Sequence, residues 1–163
     1  FEAYTESFAT IINCLFISIL NTKDKNNNEL IMTKFNKLLN NEIKYSLIQC
    51  VNVLKHNGLK YENITNNDSE SIAKRQKYIE KTHIFSYYVI KCILLFHCNE
   101  FIEWCNINNR TILFSQNENT IISFCNFISS IYNNNDLLEN IKNIEKENIK
   151  LNTLRMTLYE IEN

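Results

Sequence analysis

The chain has 163 residues, enough for one domain to bury a core without disulfide or metal staples. Hydrophobic residues make up 45% and charged residues 21%, which excludes a disordered chain. With 17 basic against 18 acidic side chains and a net charge of −1, the chain lacks the basic surplus of a phosphate-backbone binder, so nucleic acid is not an expected partner.

The sequence has no proline and a single glycine, Gly58. Sheet folds lean on both residues for turns and edges, whereas a few helices joined by Asn, Asp, Ser and Thr loops need neither. The expected architecture is therefore all-α, an elongated four- to five-helix bundle forming one domain over residues 1–163. The 28 Asn, 24 Ile and 14 Lys, against 3 Arg and 3 Ala, are not what helix propensity selects; an AT-rich coding bias accounts for them.

Phe8, Ile11, Ile12, Leu15, Phe16, Ile19 and Leu20 recur at helical spacing and predict a first helix over Glu2–Thr22 with that stripe buried. Its longest apolar run, Ile11–Leu20, falls short of the roughly 20 residues of a membrane span, so no transmembrane segment is expected. Lys23–Asn28 reads as a loop and Glu29–His56 as a second helix, stopped by Asn57-Gly58. A connector, Leu59–Asn67, leads to Asp68 as the N-cap of a third helix from Ser69 to Asn106. The second half of that helix is apolar on nearly every side, as a central helix would be. Asn106–Arg110 is a break, and Ile112–Tyr132 gives a fourth helix, starting at Ile112 or only near Gln116. Asp136 with Glu139 forms a capping box, opening a near-heptad stripe of Leu137, Ile141, Ile144, Leu151, Leu154, Leu158 and Ile161, with Asn148 at an otherwise apolar position.

The six cysteines, Cys14, Cys50, Cys92, Cys98, Cys105 and Cys125, contain no Cys-x-x-Cys pair. They read either as small buried hydrophobes or as disulfide partners of unassigned pairing; no metal site is expected. His97 beside Cys98 is short of the four ligands of a zinc site. Glu100 and Glu103 lie one turn apart, but a di-iron bundle needs Glu-x-x-His on each of two helices, a pair this chain does not supply. One glycine cannot build a phosphate loop. No catalytic residue and no cofactor are expected. Lys91 and Asn148 are candidate polar core residues, marks of a bundle able to open, or else a snorkelling lysine and a surface asparagine.

Asn26-Asn27-Asn28, Asn40-Asn41, Asn66-Asn67 and Asn133-Asn134-Asn135, set among Ile and Lys, resemble the coding style of malaria parasites (Plasmodium). Within that style a small, proline-free helical bundle resembles the secreted micronemal invasion and traversal proteins, the group that includes the sporozoite protein essential for cell traversal. The resemblance implies a secreted, non-enzymatic protein acting on a host-cell membrane or surface protein. The alternative is a cytoplasmic helical scaffold that docks partners through Leu137–Ile161.

Overall fold

The computed structural model describes residues 1–80, 82–109, 114–149 and 153–159, and among them the chain is helical with no strand. The elements are α1 (Glu2–Leu20), α2 (Asn28–His56), α3 (Glu62–Thr65), α4 (Ser69–Lys77), α5 (Lys91–Phe96), α6 (Cys98–Asn108), α7 (Glu118–Ile131) and α8 (Asn135–Glu147). A π-helical turn, Phe85–Ile90, leads directly into α5. Helices α1, α2 and α5 pack against one another, α8 lies on α2, and α7 meets α5 and α6.

Asparagine does the capping. Asn27 Oδ1 accepts from Leu30 N at 3.0 Å, and Asn117 Oδ1 from Thr120 N at 2.9 Å. Asp68 caps α4 as expected, accepting from Ser71 N at 2.9 Å. At α8 the cap is Asn134, accepting from Asp136 N at 2.9 Å and Leu137 N at 3.3 Å, so the expected Asp136–Glu139 box is corrected by two residues. Asp136 instead sits in the first turn, favourable to the helix dipole. Gly58 ends α2 with φ +70°, Gly58 N bonding Lys55 O and Leu59 N bonding Leu54 O, a complete Schellman motif with buried Leu59 closing it.

Two expected helices differ in course, and the fourth begins at Glu118, close to the later of its two expected starts. The Ser69–Asn106 helix is broken at Tyr78, whose ψ of 122° is extended, and again at His97 (φ −99°, ψ 42°). Apolarity on all sides holds only for the first of the two helices that follow one another there. Helix α5 buries every residue from Lys91 to Leu95, while α6 buries one face only, Cys98, Phe101, Trp104 and Cys105. The near-heptad helix ends at Glu147, because Asn148 takes the left-handed conformation (φ 48°) and stops it. Leu154 and Leu158 are 60% and 42% exposed on irregular chain; Leu151 and Ile161 lie outside the described residues. What remains of the stripe, Leu137, Ile141 and Ile144, is buried in the core, so the proposed docking helix has no free apolar face of that kind.

The buried side chains form two clusters. One gathers Leu47, Leu54, Tyr61, Val89, Ile93 and Leu137 around the α2–α8 junction. The other gathers Tyr4, Ile11, Leu39, Phe101, Trp104 and Phe124 around α1, α6 and α7. Helix α5 serves both, Cys92 and Ile93 facing the first cluster and Leu94 and Leu95 the second.

Candidate functional site

Helix α1 is built inside out. Its buried positions are Ala3, Tyr4, Ser7, Thr10, Ile11, Cys14 and Ser18, mostly small or hydroxyl-bearing. The hydroxyls are satisfied within the helix: Ser7 Oγ donates to Ala3 O (2.7 Å), Thr10 Oγ1 to Glu6 O (2.9 Å) and Ser18 Oγ to Cys14 O (2.6 Å). Small satisfied groups let α1 approach α2 and α5 closely at little desolvation cost. Of the stripe expected to be buried, only Ile11 is; Phe8, Ile12 and Ile19 are half-buried, and Leu15, Phe16 and Leu20 are 37%, 57% and 67% exposed. The side chains that pattern alone assigns to the core face outward, continued by Phe1 at 64% exposure. A cavity of about 490 Å³ lined by Phe1, Tyr4, Phe8, Ile12 and Phe114 opens beside them. Among the described residues α1 is the one helix long and apolar enough to cross a membrane by length and composition, although the run Ile11–Leu20 alone is not.

Along α1, beside Glu6, Ala9, Thr10 and Asn13, lies the chain segment 153–159, an irregular strap tied by buried polar groups. Glu42, 1% exposed, accepts from Leu158 N (3.0 Å), Tyr159 N (3.1 Å) and Thr157 Oγ1. Lys91, 2% exposed, donates to Met156 O, and Gln49 Nε2 donates to Thr153 O at 3.0 Å. Asn13 of α1 holds the far end, Nδ2 donating to Tyr159 O at 2.9 Å. Burial pushes the Lys91 ammonium below its ordinary range, opposed by the negative charges of Glu6 and Glu42. Lys91 is thus a polar core residue with a definite partner. Asn148 is not in the core: it is exposed at the end of α8, its Oδ1 accepting from Lys55 Nζ at 2.6 Å. Glu42 and Gln49, central to the strap, carry no sequence signal, because each reads as an ordinary solvated helix position.

All six cysteines are free thiols. Cys14, Cys50, Cys92, Cys98 and Cys105 are buried, and Cys125 is exposed on α7. Burial pushes Cys14 up to about 12 and Cys98 and Cys105 up to about 11. Cys50 hydrogen-bonds Cys92 across the α2–α5 contact, which together with burial raises its thiol well above the usual range. Thiols held protonated in this way are poor nucleophiles and poor metal ligands. His97 is buried with Nε2 unpartnered, its Nδ1 lying 3.4 Å from Glu100 Oε1, and Glu103 is exposed. Glu80 and His83 form a lone Glu-x-x-His, whose carboxylate accepts from Phe85 N at 2.8 Å. Among the described residues no three His, Cys, Asp or Glu side chains converge to hold a metal.

No protein-family model, curated protein or solved structure matches the chain.

Proposed function

We propose that this chain acts without chemistry at lipid surfaces, as a secreted protein engaging a host-cell membrane, in the manner implied by its resemblance to the parasite traversal proteins. The outward apolar face of α1 carries the reading. Large side chains such as Phe16 and Leu20 held in water represent surface that a membrane interface accepts favourably. The rest of α1 is already hydrogen-bonded within the helix, so entering the interface strands no backbone group.

Flotation with phosphatidylcholine vesicles, with and without phosphatidylserine, tests it. Phe16→Asn with Leu20→Asn removes roughly 1.5–3 kcal/mol of apolar transfer per side chain. Partitioning should then fall by at least about a hundred-fold, while helical circular dichroism is unchanged because both residues are exposed. Equal flotation of wild type and variant would sink the proposal.

The secreted part has its own test. Cys50 and Cys92 are free thiols in this structure but neighbours across the α2–α5 contact, so in an oxidising compartment they are the pair that would pass two electrons and two protons to an external disulfide and close a bridge. Native-source protein denatured without reductant should then titrate four thiols, and two more after reduction. Six thiols at the outset would count against secretion.

A further inference from the structure

The ends of α2 and α8 enclose a second cavity, about 370 Å³, on a different part of the molecule from the outward face of α1. Its floor is apolar, formed by Val51, Leu59 and Ile149. Its rim carries Lys55, Lys60, Lys142 and Lys146, opposed within the lining by one carboxylate, Glu145. On a chain whose net charge is −1 this is a marked local concentration of positive charge. All four lysines are exposed, so the charge faces solvent at the mouth.

Helix-dipole compensation accounts for only part of it. Lys55 and Lys146 stand in the last turns of α2 and α8, where cations are ordinarily favoured. Lys60 belongs to no helix, and Lys142 lies more than a turn before the end of α8. Lys55 is positioned by its 2.6 Å bond to Asn148 Oδ1, and Lys60 lies 3.6 Å from Glu62. Lys142 and Lys146 have no ion pair or side-chain hydrogen bond among the described residues.

We infer that this cleft binds a single-chain anionic amphiphile, a phosphate headgroup held by the lysine rim with its acyl chain laid on the Val51–Leu59–Ile149 floor. A cationic rim over an apolar floor fits such a ligand at both ends. The volume lies at the small end of ligand pockets, which favours one chain over two. Lysine binds phosphate as a point charge without demanding a fixed fork geometry, so mobile surface lysines suffice.

Calorimetry with octanoyl glycerol phosphate tests the inference, using octanoyl glycerophosphocholine and inorganic phosphate as comparison ligands. The phosphate monoester lipid should bind, the choline counterpart roughly ten-fold or more weakly, and inorganic phosphate without measurable heat. Lys142→Glu with Lys146→Glu should weaken the lipid by roughly ten-fold or more and flatten its salt dependence; Val51→Asn should weaken the lipid through the floor. Lys55→Gln provides a second rim variant should the double variant lose helical signal. Equal binding of the choline lipid, equal binding of inorganic phosphate, or indifference to the lysine variants would each overturn the inference. Phe16→Asn with Leu20→Asn should leave this binding unchanged, so failure of the cleft and failure of vesicle association through α1 are separately visible.

Discussion

Glu42 shows how much a single side chain can hold. A carboxylate in the middle of a long helix ordinarily faces water, yet this one is buried and accepts from two consecutive backbone N–H groups, Leu158 and Tyr159. Removing a buried acceptor leaves its donors unsatisfied, at about 1–3 kcal/mol each. Glu42→Ala should therefore destabilise the chain by roughly 2–5 kcal/mol, with amide exchange at Leu158 and Tyr159 accelerating before the rest. Uniform acceleration across α1 and α2 would show that the strap and the bundle open together. The buried thiols make a second prediction. Cys14, Cys98 and Cys105 keep their protons to about 12, 11 and 11 when folded, against a thiol's ordinary 9.0. Above that ordinary value the unfolded chain releases protons that the folded chain retains, so stability is full below it and falls as pH rises towards 11 and 12. A tenfold difference in one thiol's proton affinity between the two states is worth about 1.4 kcal/mol. Lys91 acts in the opposite sense, shedding its proton first in the folded state, but it stands against these three thiols and that of Cys50, which is raised as well. The melting temperature should drop steadily above about pH 9, and Cys14→Ala should flatten the slope whatever it does to the absolute value. A melting temperature that rises with pH would mean Lys91 outweighs the thiols.

At the level of the element, legibility follows the kind of force involved. The end of α2 is readable because a lone glycine at a helix stop has one good use, the left-handed turn it adopts. Gly58→Ala should cost about 1 kcal/mol through that φ alone, since open space surrounds the position and no clash adds to it; calorimetric unfolding checks this. The faces of α1 defeat periodicity for the opposite reason. Periodicity weighs side chains by size and polarity, and it cannot see a serine whose hydroxyl is already bonded to the carbonyl four residues back. The same blindness hides the break at His97, where a short helix buried on every side runs into one buried on a single face and the two read as one apolar helix. Asn148 stands out in the pattern, yet its residue type suits a left-handed stop, the role it takes, as well as it suits a register-setting core position.

For the molecule as a whole, the bundle class is legible from the missing proline and near-missing glycine, a global constraint that no tertiary contact can reverse. The candidate sites are not. The lysine-rimmed cleft joins residues 51–60 to residues 142–149, and the strap joins positions 42, 49 and 91 to 153–159, separations over which spacing carries no information. Helix α8 illustrates the cost of that distance. Leu137, at 0% exposure, fills the cluster around Tyr61, so Leu137→Ala should destabilise by roughly 2–5 kcal/mol; a loss well under 1 kcal/mol would mean that cluster collapses readily around the gap.

The two clusters also decide what light can report. The chain has one tryptophan, Trp104, packed against Phe114, Phe124 and Phe127 with its Nε1 donating to Ser123 Oγ at 3.1 Å. Every one of those neighbours belongs to the α1–α6–α7 side. Tryptophan emission is therefore a local gauge: it reads the half of the protein beneath the outward apolar face and is silent on the half that holds the lysine-rimmed cleft. Ellipticity, summed over all helices, reads both. If the two traces part company during unfolding, the chain comes undone in two movements, with α5 as the seam between them.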